Sequence, residues 1–376
     1  MIYLDNAATT FPKPPQVIRA VAGTMEKIGA NPGRAGHRLS LAAGRVVENC
    51  RDALAQYLQV SDPSRIVFAK NCTDALNMAI HGFVHAGDHV VTSLLEHNSV
   101  LRPLCELARL NVISLSFVTP GPQGRIDPRE VERRFTPATR LCVLAHASNV
   151  LGVVQDMAAI ARVCHAHDVR LLVDAAQSAG THDVRPSALG ADLLAMPGHK
   201  GLLGPHGTGA LYIAPDVHLA PLEQGGTGSA SESMFQPMDL PDRFESGTLN
   251  LPGIAGLLCG VRFVLREGEE RAEHLSRISA CIYEGIANLP GVRLYSPPGT
   301  NVISFNVAGL ASGETAGLLD GAGIAVRGGL HCAPGIHRHL GTLETGAVRV
   351  SPGVFTTPRE VDVFLKTLRI IAAGRA

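Results

Sequence analysis

The 376-residue sequence predicts an α/β fold: a large domain built on a mainly parallel, doubly wound sheet, followed by a small C-terminal α+β domain. Two observations carry that prediction. From Arg65 to about Ile213, short β-branched runs alternate with helical patterns, as in RIVFA, TDALNMAIHGFV, HVVTSLL, NVISLSFV, RLCVLAHAS, VRLLVDA, DLLAM and GALYI. Such alternation builds parallel strands joined by helical crossovers, and the near-continuous apolar runs suit strands covered on both faces. After about Leu251 the texture changes. A long helical stretch, broken at Gly260 and Gly268, runs to a turn at Pro290-Gly291. Strand-like VRLYS and NVISFNV follow, then a short helix after Ser312, then GIAVRGG and AVRVS. The expected division is a large domain over 15–250 and a small one formed by 1–14 with 251–376.

Individual elements carry their own signals. Asp156 is placed to cap a helix whose apolar stripe is Met157, Ile160, Ala161 and Cys164. Asp127 with Pro128 at the first helical position marks another start. Thr357-Pro358-Arg359-Glu360 is a capping box ahead of the final helix, VDVFLKTLRII.

Composition narrows the function classes. Hydrophobic residues make up 45% and charged residues 18%, enough for more than one core. A formal net charge of zero gives no global attraction for nucleic acid or an anionic membrane. The absence of tryptophan, with only five tyrosines, argues against platforms for stacking bases. The start, MIYLDNAATT, has neither a basic leader nor a long apolar stretch. The eight cysteines are scattered without CxxC or metal-ligand spacing, which suggests reduced, mostly buried thiols, a cytoplasmic setting and no bound metal.

In open α/β sheets, ligands bind beyond the carboxyl ends of the strands. Strand VRLLVDA ends in Asp174, and DLLAM ends in Pro-Gly-His199-Lys200. A carboxylate and a lysine so placed suit pyridoxal phosphate (PLP): the acid keeps the pyridine nitrogen protonated and the amine forms a Schiff base. A plain salt bridge between Asp174 and Lys200 would use the same residues. RIVFA runs into Lys70-Asn71-Cys72-Thr73-Asp74, which can bind a phosphate at a helix N-terminus or merely cap the helix through Asn71 or Thr73. Glu96-His97-Asn98 offers a histidine that can stack on the ring or lie on the surface. Ser148 and Asn149 follow the fifth strand and border the same cleft.

The motifs LDNAATT, EHN, HASNVLG, VDAAQSAG, GHKG, FESGTLN, RGGLHCAP and VRVSPG resemble, in that order and over nearly the whole chain, class V aminotransferase-fold enzymes of PLP fold type I. The resemblance is to their cysteine desulfurase and selenocysteine lyase branch. It implies that Lys200 binds the cofactor covalently, Asp174 holds the pyridinium, Gln177 donates to the ring oxygen, and His97 stacks on the ring. It also implies phosphate contacts from Cys72, Thr73 and His199, with Thr248 reaching the phosphate of the neighbouring subunit in a homodimer. Asn149 and Arg349 would hold the carboxylate of L-cysteine or selenocysteine, with Arg327 nearby. Pro197 replaces a hydroxyl residue common before the His-Lys pair, and Leu330 replaces the first of two histidines.

Cys332 in RGGLHCAP decides the expected reaction. In similar desulfurases the cysteine here takes sulfur as a persulfide, and its neighbours His331 and Arg327 could favour the thiolate. An inert, buried cysteine is the bland alternative. The short form of the loop resembles desulfurases that hand sulfur to an acceptor protein.

Overall fold

The computed structural model describes residues 1–32 and 36–374. Its strands, in chain order, begin with β1 (Ile2–Tyr3), β2 (Ile66–Ala69), β3 (His89–Ser93), β4 (Ser114–Val118), β5 (Thr139–Ala145), β6 (Arg170–Asp174), β7 (Leu193–Pro197) and β8 (Gly209–Ile213). All but β1 form one sheet in the order β2-β8-β7-β6-β5-β3-β4. Every pair is parallel except those of β8, which runs antiparallel to both β2 and β7. Consequently β2, β3, β5, β6 and β7 all point the same way, and the residues following them share one edge of the sheet. β4 starts at Ser114, later than NVISLSFV suggested, because Asn111 takes a left-handed turn with φ of 57°.

The remaining strands are β9 (Val292–Leu294), β10 (Ile303–Val307), β11 (Ile324–Ala325), β12 (Arg327–Gly329) and β13 (Ala347–Val350). β12-β13-β10-β9 is an antiparallel sheet, while β11 pairs in parallel with β1. The run GIAVRGG is therefore two strands rather than one. Its first half receives the chain's N-terminus and its second half pairs with β13. The caps expected at Asp127, Asp156 and Thr357 all form, with Asp156 Oδ1 accepting from Ala159 N at 2.9 Å.

The helix after Asn250 departs most from expectation. It runs from Leu251 to Ala287 as two helical segments joined at a kink, where Glu267 is non-helical. Gly268 thus sits beside a kink, whereas Gly260 does not interrupt the helix. A Cβ at Gly260 would stand 2.3 Å from Leu202 O, so this glycine serves close packing of helix on loop. Leu251, Ile254, Leu257 and Val261 join the core around the large sheet, and Ile278, Ile282 and Ile286 join the core around the small sheet. The change from one core to the other falls inside this helix, well past Leu251.

A buried ion pair fixes the segment leading into that helix. Glu245 accepts two hydrogen bonds at 2.8 Å from Arg51 and one at 2.7 Å from Phe68 N, and both side chains are under a tenth exposed. Removing one partner leaves an uncompensated buried charge. Glu245→Ala should lower the unfolding free energy by about 3–5 kcal/mol in urea denaturation; a loss near zero would show that water reaches Arg51.

Candidate active site

At the shared strand edge lies a cavity of about 230 Å³ lined by Lys200, Asp174, His97, Gln177, Cys72, Thr73, Asn149, His199, Arg327 and Arg349. Residues from β2, β3, β5, β6 and β7 ends thus converge as the strand order requires. The N-terminal segment adds Ala7 and Ala8, and Ser99 adds a hydroxyl. Three residues singled out in the sequence stand outside. Ser148 is buried beside Asn149, its Oγ accepting from Val150 N at 3.3 Å and Leu151 N at 3.1 Å. Cys332 is exposed on the adjoining loop, and Thr248 is exposed in a different groove with Lys70 and Ser246.

Asp174 and Lys200 are close but unpaired. Asp174 Oδ1 accepts from Ala176 N at 2.8 Å and from the Cys72 thiol at 3.5 Å. Its Oδ2, like Lys200 Nζ, takes no hydrogen bond or ion pair among the described residues. The plain salt-bridge alternative therefore fails. Burial raises the Asp174 carboxyl pKa and lowers that of the Lys200 amine, each effect opposed by the other's charge. Burial also raises the Cys72 thiol well above its usual range, with Asp174 adding to the effect, so Cys72 stays a neutral donor. Behind them Glu96 is buried, pushed up to about 8 mainly by desolvation, and so is protonated at neutral pH.

The helix Cys72–Phe83 begins at this edge. Its cap is Asn71, whose Oδ1 accepts from Asp74 N at 2.9 Å. The bland capping role thus belongs to Asn71, and Thr73 is left to bond Ser99 Oγ at 2.7 Å. His97 caps the next helix, Asn98–Arg109, through Nδ1, which accepts from Ser99 N at 3.1 Å. That acceptor role puts the ring proton on Nε2. Burial, then Lys200, Arg327, Arg349 and Arg102, push His97 down to about 4.

The N-terminal segment, to which the residue-by-residue reading assigned no site role, holds much of the wall. The His199 carbonyl accepts from Thr10 N, both the Thr9 and Thr10 hydroxyls, and Lys13 Nζ at 2.6 Å. Its ring meets Thr9 Oγ1 at 3.0 Å and stacks on His206 at 5.1 Å. Gln177 Nε2 donates to Ala7 O. Arg349, 1% exposed, pairs with Asp5 at 2.8 Å and donates to Asn149 O at 3.1 Å, leaving Nε unpartnered. The polar run DNAATT after an apolar start was the available signal.

Cys332 stands on an anchored loop. His331 and Cys332 both have left-handed φ, 51° and 57°, which costs non-glycine residues about 1–2 kcal/mol each. Three hydrogen bonds hold the shape: Asn149 Nδ2 to His331 O and Asn98 N to Cys332 O, both 2.7 Å, and His331 Nε2 to Ala347 O at 3.0 Å. The His331 ring is therefore turned inward, and burial followed by the Arg349 charge pushes it down to about 2. It is no cationic partner for Cys332. That place falls to Arg327, whose Nη2 is 4.0 Å from Sγ and which has no acidic partner among the described residues. Cys105 and Cys281 are exposed too, so exposure alone does not distinguish Cys332; its place beside the cavity does.

The class V aminotransferase family model matches residues 2–364. The chain belongs to the class V aminotransferase family. Among its relatives, a probable cysteine desulfurase of Methanothermobacter thermautotrophicus is 37% identical, with 99% of this chain and 94% of that protein covered. One from Pyrococcus abyssi is 35% identical, over 98% and 93%. The apo structure of a cysteine desulfurase from Thermococcus onnurineus NA1 matches with a TM-score of 0.92 at 34% identity, over 99% of this chain and 95% of that one. An Escherichia coli cysteine desulfurase with an S-sulfonic acid matches at 0.90 and 26%, over 99% and 94%. The expected fold type I class therefore holds.

His331 gives a pH prediction for this member of the class V aminotransferase family. An unfolded chain protonates it near pH 6.5, whereas the folded state keeps it neutral down to about 2. Its stabilising contribution is complete above about pH 6.5 and drains away below. His331→Asn should flatten the decline of unfolding free energy between about pH 6 and pH 4 by about 1.4 kcal/mol per pH unit. An unchanged slope in urea melts would mean that the folded ring protonates normally.

Proposed function

We propose that this protein is a PLP-dependent cysteine desulfurase that converts L-cysteine to L-alanine and keeps the sulfur as a persulfide on Cys332. The observation that carries this reading is an exposed cysteine on an anchored loop beside a cavity whose buried lysine and carboxylate are left unpaired. Relatives and structural neighbours bearing the name cysteine desulfurase support it.

The residues present fit pyridoxal phosphate. The unpartnered Asp174 Oδ2 suits a protonated ring nitrogen, Lys200 Nζ an aldehyde carbon, and the helix start at Cys72 and Thr73, with His199, a phosphate. When bound, the cofactor supplies an electron sink that makes the substrate α-proton removable. Lys200, with its amine pKa depressed by burial, is the base for that proton, received at Nζ. The buried Arg349 guanidinium and Arg327 provide positive charge for the substrate carboxylate, and Asn149 holds the cysteine loop against them. His97, neutral with its proton on Nε2, would stack on the cofactor ring.

Cys332 acts on the sulfur. As thiolate its Sγ attacks the substrate sulfur; an S–S bond forms, the C–S bond breaks, and the electron pair stays with the substrate carbon, which takes a proton on the way to alanine. Arg327 Nη2 stands 4.0 Å from the Cys332 Sγ. The anchored loop does not carry Cys332 far, which supports delivery to an acceptor protein that comes to it. Thr248, exposed and away from its own chain's cavity, supports a homodimer in which it completes the neighbour's phosphate site. Eight unpaired thiols support a reducing, cytoplasmic setting; among the described residues no helix is long and apolar enough to cross a membrane.

Incubation with L-cysteine and reductant should yield alanine with matching sulfide. Cys332→Ala should lower alanine formation at least about 100-fold while keeping the visible absorption of bound cofactor, and Lys200→Ala should lose both. Full alanine production by Cys332→Ala would sink the persulfide role. Pyruvate in place of alanine would point to a β-eliminating lyase, and turnover of the selenium analogue alone to a selenocysteine lyase.

A further inference from the structure

We infer that Ser99 is a positioning residue that couples an anion held by Thr73 to the protonation of His97. Three polar groups form a chain along one wall of the cavity: Thr73 Oγ1 to Ser99 Oγ at 2.7 Å, then Ser99 Oγ to His97 Nδ1 at 2.8 Å. Ser99 is 8% exposed, so bulk water does not substitute freely for its partners. The backbone N–H of Ser99 also donates to Nδ1, at 3.1 Å, and marks that nitrogen as the unprotonated one.

Counting protons along this chain gives the coupling. Two contacts need one proton each, and the chain has two hydroxyl protons. With no anion, Thr73 donates to Ser99 and Ser99 donates to His97 Nδ1, so both contacts are satisfied. An anion in the cavity accepts the Thr73 proton. The Thr73–Ser99 contact must then be supplied by Ser99, because two oxygens 2.7 Å apart with no proton between them repel. His97 Nδ1 loses the stronger of its two donors and faces a lone pair instead. A hydrogen bond to the neutral form lowers a base's pKa, and its loss raises it. Anion binding thus makes His97 a better proton acceptor by rotation of two hydroxyls.

The charges facing His97 give the switch a use. They are Lys200, Arg327 and Arg349 across the cavity and Arg102 on its own helix, all cationic, and with burial they hold the ring neutral. A dianion close to Thr73 offsets that field directly, and the hydroxyl chain adds a second contribution through bonds that only Ser99 can make. The coupling rests on the reading of Thr73 as a phosphate ligand. It goes beyond that reading by making the phosphate site set the state of the histidine stacked on the ring.

The test uses full-length, cofactor-free protein labelled uniformly with 15N, the His97 and Thr73 signals being identified by their loss in His97→Asn and Thr73→Ala. Inorganic phosphate is the probe. In the wild type, saturating phosphate should raise the His97 titration midpoint by about 1 pH unit more than in Ser99→Ala. Ser99→Ala keeps the backbone N–H and the direct effect of the anion but lacks the hydroxyl. Ser99→Thr keeps the hydroxyl and should restore the larger shift, which a merely structural effect of the substitution would not predict. Equal shifts in wild type and Ser99→Ala would overturn the coupling while leaving the phosphate reading intact. No response of His97 or of the Thr73 amide at saturating phosphate would overturn both.

Discussion

Arg349 lies where three distant parts of the chain meet. It sits on β13 of the small sheet, pairs with Asp5 near the N-terminus and donates to the carbonyl of Asn149 beyond β5. At 1% exposure, its charge is tolerable only because those partners are in place. The same contacts bring the N-terminal segment over the strand edge, set Asn149 against the cysteine loop and close one wall of the cavity. The site therefore depends on a desolvated guanidinium whose neutralisation requires the complete fold.

Desolvation also explains why the cavity is chemically poised. Asp174 and Lys200 could have neutralised each other, yet Oδ1 is committed to Ala176 N and Cys72 while the amine remains free. Burial then acts on each separately, raising the acid and lowering the base. A carboxylate that keeps one oxygen open and an amine that readily sheds its proton are what a pyridinium and a carbonyl carbon need. The same burial keeps the histidines around them neutral, so hydrogen-bond direction rather than net charge distinguishes one ring from another.

The strands and the strand-end residues were legible in the sequence because parallel topology turns sequence position into spatial position. A polar residue just after an apolar run in such a sheet has only one edge on which to appear. Asp174, His97 and Lys200 could be found this way. Asp5, Ala7 and Lys13 could not, because a polar run marks the segment but nothing local reveals that it will pair with residues 170 or more positions away. Ser99 was missed for a related reason: its role lies in the line of hydroxyls it completes. Gly260 misled because glycine weakens an isolated helix, whereas here it lets the helix approach the Leu202 carbonyl. His331 misled because adjacency in sequence to Cys332 says nothing about a ring that a left-handed backbone turns inward.

The N-terminal segment has a consequence for the order in which the molecule is made. Residues 1–13 leave the ribosome well before their partners His199, Ala325, Arg349 and Ser351. Until Ala325 has been made β1 lacks its neighbour, and until Arg349 has been made Asp5 lacks its guanidinium and the cavity lacks a wall. Residues made early are thus among the latest to find their place, and the cavity is completed only after β13 has been translated.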